Sequence, residues 1–181
     1  VQLADARGRS GGVEGLIASC APPRRFRSAE GVTRAQAEMS GPFVAPSLRG
    51  RSAAQKAGIR YERKVVAELS AEFGKEFSPS LWFKFDDRHA TGRWCQVDGL
   101  RKTEISLTIF EVKSRFISDA GYQLRHLYLP VVRCAFPNLP IHLVVICKSF
   151  DPWTAFPEAY SLIPSLNESK PDLISVFPWR L

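Results

Sequence analysis

Cys95 to Lys113 reads C-Q-V-D-G-L-R-K-T-E-I-S-L-T-I-F-E-V-K, and the way this stretch folds decides the rest of the chain. It is a strand, a charged turn and a second strand. Ile105 to Val112 is β-branched and aromatic, as a buried strand should be. That strand finishes in Glu111 and Lys113. Period-two geometry puts both on one face and turns Val112 to the other, towards the core. The strand before the turn, Arg93 to Asp98, also ends in a carboxylate. A turn centred near Thr103 pairs Asp98 with about Thr108, roughly 10 Å along the strand from Glu111. The two carboxylates then meet only if the hairpin is irregular, through an asymmetric turn, a bulge or a fork.

Upstream, Ala53 to Phe73 predicts a long helix: Tyr61, Val65, Leu69 and Phe73 recur every four residues, Val66 widens the stripe, and Gly74 is a natural stop. Glu62 lies beside that stripe. Leu81 to Phe85 alternates as a strand, and Asp86-Asp87-Arg88-His89 follows as a polar loop. Downstream, Ser118-Asp119 starts a second helix, with Leu124, Leu127, Tyr128 and Val131 as its apolar face. Pro130 should kink or end it. Ile141 to Cys147 predicts a buried strand, and Leu173 to Phe177 a last one. The fold class is α/β, a mixed central sheet with the Ala53 to Phe73 helix on one face and the Gln123 helix on another.

The chain of 181 residues suits one domain with an appended tail, and an apolar fraction of 45% is ordinary for a globular protein. Residues 1–52, rich in Gly, Ser, Pro and Arg, read as a basic arm without a core of its own, and 53–181 as the domain. The arm is either a DNA- or partner-contacting segment or a solvated tail. Met39 is the one methionine, so the first 38 residues are either native, after a removed start, or upstream sequence. The apolar run Ile141 to Cys147 is too short to span a membrane. The four cysteines and three histidines lack zinc-ligand spacing, so a structural zinc is not expected and a reducing compartment fits. A net charge of +7 favours a polyanionic partner.

Two carboxylates and a lysine converging at a strand end are the groups that phosphodiester hydrolysis needs. Hard divalent cations, Mg2+ or Mn2+, prefer carboxylate and water oxygens. Asp98 and Glu111 would hold the ion, joined by the backbone carbonyl of Val112. Lys113 would orient or deprotonate the water, or offset charge at the phosphate. Asp86 and Asp87 are a second-choice ligand pair or loop residues, and Pro171-Asp172 a turn. Lys64, Arg93, Arg101, Lys102, Arg115 and Arg125 are candidates to contact a nucleic-acid backbone.

Over Gly58 to Phe136 the sequence resembles the PD-(D/E)xK nuclease superfamily, of the RecB-like, phage-exonuclease or Holliday-junction-resolvase kind. Gly58-Ile59-Arg60-Tyr61-Glu62 is similar to the first-helix motif, Val97-Asp98 to the P-D pair, Glu111-Val112-Lys113 to the (D/E)-x-K element, and Tyr122-Gln123-Leu124 with Tyr128 to the Q-and-Y helix. Val97 stands where that family often has proline. The resemblance implies a restriction-endonuclease-like core and metal-dependent DNA cleavage. It adds Glu62 as a metal-associated carboxylate and Gln123 as a site-ordering or substrate-contacting residue. It leaves open a nuclease-fold protein that binds DNA without cutting, as part of a larger viral or repair assembly, and a dimeric junction resolvase. The partners expected are DNA and further copies or a larger assembly, with no membrane. The setting expected is the cytoplasm of a bacterial or phage-infected cell, or else a virion or organelle.

Overall fold

A computed structural model describes residues 28–38, 41, 49–149, 160–171 and 173–179 of the chain. The first 27 residues, Met39, Asp172 and the Pro- and aromatic-rich stretch from Asp151 to Pro157 lie outside the described residues. In chain order the elements are β1 (Arg34–Glu38), α1 (Ala53–Phe73), β2 (Phe77–Pro79), β3 (Trp82–Asp86), β4 (Arg93–Gln96), β5 (Gly99–Lys102), β6 (Leu107–Arg115), α2 (Ser118–Gln123), α3 (Leu129–Ala135), β7 (Ile141–Ser149), β8 (Tyr160–Leu162) and β9 (Ile174–Pro178). The main sheet has six strands in the order β2-β5-β6-β7-β9-β8. Its β2, β5 and β6 run antiparallel and β6 to β8 run parallel, so the sheet is mixed.

Both flanking helices form where the apolar spacing predicts. The Ser52 hydroxyl accepts a bond from Gln55 N while the Gln55 side chain accepts one from Ser52 N, and this reciprocal cap starts α1. Gly74, at φ +54°, ends it. Tyr61, Val65 and Leu69 pack against Phe77, Phe110, Val112, Val144 and Ile146 on one face of the sheet. On the other face Leu107, Ile109, Leu143 and Val145 meet Leu124, Tyr128, Val131 and Val132 of the α2–α3 segment. The architecture is α/β, a mixed sheet between two helical layers.

Four features differ from the sequence reading. The first is the strand expected over Arg93 to Asp98, which stops at Gln96, with a further strand in another sheet starting at Gly99. β4 pairs with β3 in a separate sheet of three, ordered β1-β3-β4, while β5 joins the main sheet. Asp98 sits at the changeover.

The second is the hairpin. The turn is Glu104-Ile105, closed by Thr103, whose N–H reaches Ser106 O at 3.0 Å and whose hydroxyl accepts from Ser106 N at 3.0 Å. Ile105, expected to open the strand, is a turn residue with 79% of its surface exposed. Moving the turn centre past Thr103 slides the pairing along. Gly99 faces Phe110 and Lys102 faces Leu107, so the next position places Asp98 opposite Glu111. No bulge or fork is needed. Gly99 matters here for another reason: a Cβ on it would lie 2.4 Å from the Phe77 ring.

The third is Pro130, which does not end the helix. Leu124–Tyr128 widens into a π turn in which Leu129 N bonds Leu124 O, and Pro130 then stands in the first turn of α3, where its missing donor costs nothing. The fourth is the arm. Residues 34–38 form an edge strand on β3, and Ala29 is buried in the core of the domain, so this part of the stretch expected to be a free arm belongs to the fold. Its pairing is through the backbone, which leaves no apolar period to read.

Candidate active site

The hairpin register, the end of β6 and the two helices converge at one place. Glu111 and Lys113 alternate with Val112 along β6, so both carboxylate and ammonium stand on the α2–α3 side, and they form an ion pair. Asp98, the cross-strand neighbour of Glu111, accepts a bond from Val112 N at 2.8 Å through Oδ2. The N–H and C=O of a strand residue project to the same edge. The Val112 carbonyl therefore points towards Asp98, past the end of β5. α1 brings Glu62 within electrostatic reach of Asp98 and Lys113.

Glu111 is 1% exposed, and its Oε2 has no hydrogen-bond partner. Burial, then the neighbouring Asp98, push its carboxyl up to about 8, against the pull of Lys113. Burial and Asp98 push Glu62 up to about 7, with Lys113 and Arg63 pulling the other way. Burial raises Asp98 too, against the pull of Lys113 and the Val112 N–H. For Lys113, burial disfavours the ammonium, but Glu111, Asp98 and Glu62 together raise its pKa. Three carboxyl groups thus share one ammonium. Ionising all of them calls for more positive charge than the side chains supply.

Among the described residues no three His, Cys, Asp or Glu side chains stand together as a ready-made ion cage. What does fit a hard cation is the donor set: the unpartnered Glu111 Oε2, the Asp98 carboxylate, the Val112 carbonyl and, one helix away, Glu62.

Gln123 is buried and donates through Nε2 to the Tyr128 hydroxyl at 2.7 Å. Tyr128 is itself buried, and the charges of Glu111, Asp98 and Glu62 raise its pKa further after burial has done most. Its sequence position on the apolar face gives only the core role. The π turn is what lets residues five apart bond to each other, and nothing in the local pattern announces a π turn except Pro130 just beyond it.

The remaining candidates fall elsewhere. Asp87 is buried and fully engaged: Oδ1 accepts from His89 N and Ala90 N at 3.0 Å each, and Oδ2 pairs with Arg93. Asp86 Oδ1 accepts from Gly92 N at 2.7 Å. This second-choice pair therefore serves its own loop. His126 lies against Tyr122, ring centroids 4.4 Å apart, on the outer side of the helix. Compared with protein-family models, with curated proteins and with solved structures, the chain matches none. No described helix is long and apolar enough to cross a membrane.

Proposed function

We propose that this protein is a divalent-cation-dependent nuclease that hydrolyses DNA phosphodiester bonds by direct attack of water, on a restriction-endonuclease-like core. The observation that carries this reading is the buried, unpartnered Glu111 Oε2 beside Asp98, with Lys113 on the other oxygen. A structural ion pair would satisfy both oxygens; this one keeps an acceptor in reserve.

Asp98, Glu111 and the Val112 carbonyl would hold Mg2+ or Mn2+, with Glu62 at its outer side. When bound, the ion supplies charge at the phosphate and lowers the pKa of the attacking water. Lys113, held as an ammonium by the surrounding carboxylates, orients that water or offsets charge on the phosphate. Gln123 would order the site through Tyr128, which it holds by a hydrogen bond and which feels the charges of Glu111, Asp98 and Glu62. The topology supports the same reading. The cluster lies at the carboxyl end of β6, where the chain leaves for a helical crossover to the parallel β7, and open α/β sheets bind ligands at such ends.

The test is a Mg2+- and Mn2+-dependent cleavage assay on linear, single-stranded and four-way DNA, with Glu111→Ala and Lys113→Ala as controls. Cleavage by the intact protein that both substitutions abolish is the expected result. Cleavage that survives both moves the site elsewhere, and no cleavage of any substrate leaves a DNA-binding or structural role on the same fold. Cutting confined to four-way DNA makes the protein a junction resolvase.

A further inference from the structure

Three of the cations that the sequence offers to a nucleic acid are held within the fold. Arg93 pairs with Asp87 and lies over Phe85; Arg101 pairs with Glu76 and lies over Phe73; Lys102 sits over Phe136. These three hold the fold together, although their sequence context offers them equally to a nucleic acid. The densest other group is on α1, where Lys56, Arg60, Arg63 and Lys64 fall within Lys56–Lys64 and Glu62 is the one acid among them. Arg60, Arg63 and Lys64 are exposed and Lys56 is half-buried, and none of the four is in an ion pair among the described residues.

Helix stability does not account for this pattern. At 3.6 residues per turn the four cations share the face opposite Tyr61, Val65 and Leu69. Lys56, Arg60 and Lys64 stand at successive i, i+4 positions, where like charges repel. The second half of α1 carries Glu68 and Glu72 and no cation, and the helix has no acid in its first turn and no base in its last. The macrodipole favours the reverse. The basic half is also the half that carries Glu62, and Arg63 acts electrostatically on that carboxyl. Exposed Arg115 and Lys148 stand at the carboxyl ends of β6 and β7, and a Cβ on Gly58 of α1 would lie 3.6 Å from the hydroxyl of Ser114, next to Arg115.

We infer that the N-terminal half of α1, with Arg115, is the surface that holds the phosphodiester backbone of the substrate next to the carboxylate cluster. This rests on the nuclease reading for its substrate, and the charge pattern is independent of it. Lys56, Arg60 and Lys64 act as positioning residues: they grip phosphates and leave the reacting atoms to the strand ends.

The experiment measures binding of short labelled duplex DNA, single-stranded DNA and RNA in EDTA over a range of salt. It compares the intact protein, K56Q/R60Q/K64Q, the conservative K56R/K64R, and a distant triple of equal charge loss, R34Q/K75Q/K170Q. Each lost duplex contact lowers the slope of log K against log salt by about 0.9. The α1 triple should lose about 2 to 3 in slope and at least roughly tenfold in affinity, keep its helical signal, and melt no lower than the intact protein. The conservative pair and the distant triple should keep the slope of the intact protein. Whichever polymer shows the slope loss is the substrate class. Equal slopes for the two triples overturn the inference, as does an intact protein that binds none of the three. Binding through α1 without cleavage under any cation keeps this surface and removes the nuclease reading; cleavage that the α1 triple leaves unchanged at every salt does the opposite.

Discussion

Asp87 and Glu111 are both buried carboxylates beside a basic side chain, and their surroundings push them in opposite directions. Asp87 lies in the loop just after β3, where burial opposes its charge but the N–H groups of His89 and Ala90 and the Arg93 guanidinium outweigh it, so its pKa is lowered. Glu111 sits in β6, where the backbone is committed to the sheet ladder and offers it no donor. Lys113 takes one oxygen, the other has nothing, and two more carboxyls stand near. An ion pair that is complete is structure. An ion pair with a spare acceptor and excess negative charge is a place for a cation.

That contrast can be broken most sharply by isosteric substitution. Glu111→Gln should cut cleavage by about a thousandfold, the scale seen when a charge-stabilising group is removed from an active site, while leaving the fold intact. Asp87→Asn should leave the chemistry in place and destabilise the protein by about 3 kcal/mol, because it breaks the Arg93–Asp87 ion pair; urea unfolding measures the stability of both variants. If Glu111→Gln destabilises the metal-free protein as much as Asp87→Asn does, the difference drawn between the two sites is wrong.

The pH dependence separates them next. Glu111 is raised to about 8 from an ordinary value of 4.5, so across that interval the folded protein keeps a proton that the unfolded chain has released. The metal-free protein should therefore lose stability as pH rises from about 5 to about 8, by a few kcal/mol at about 1.4 kcal/mol per unit, and level off above. Glu62, raised to about 7, adds in the same direction. Lys113 does not contribute there, since it is protonated in both states through the interval. Asp87 has the opposite sign: its contribution is present above its ordinary pKa and is lost on acidification. Denaturant midpoints in EDTA across this range should slope downwards for the intact protein and more weakly for Glu111→Gln. A flat or rising profile would show that Glu111 is not held protonated.

A divalent cation should remove that slope. At a hundred times its pH 8 dissociation constant Mg2+ should stabilise the intact protein by about 2.7 kcal/mol at pH 8, and the same concentration should stabilise it less at pH 6, because the carboxyls must give up their protons to bind the ion. The smallest effect expected is from Tyr128→Phe, which removes one buried hydrogen bond to Gln123 and should cost about 1 kcal/mol in a thermal melt.

Much of this was legible in the chain. The apolar stripe of α1, its Gly74 stop, the buried run of β7 and the alternation that puts Glu111 and Lys113 together all follow from local pattern. What was not legible is whatever depends on one residue of register or on pairing without side-chain periodicity. Ile105 has the composition of a strand and the position of a turn, and that single misplacement separated Asp98 from Glu111 on paper. β1 turns Ala35 rather than a large apolar side chain to the core, and β2 and β8 are three residues each, too short to show a period. The Gln123–Tyr128 bond needs a π turn, which local propensity does not encode. The resemblance to the PD-(D/E)xK pattern therefore named the residues of the cluster without giving the geometry that joins them.

A calorimetric titration of the metal-free protein with Mn2+ at pH 8 tests the central claim most directly. Saturable binding to the intact protein is expected, retained by Asp87→Asn and lost by a folded Glu111→Gln. Equal binding by Glu111→Gln, or none by the intact protein, would contradict it.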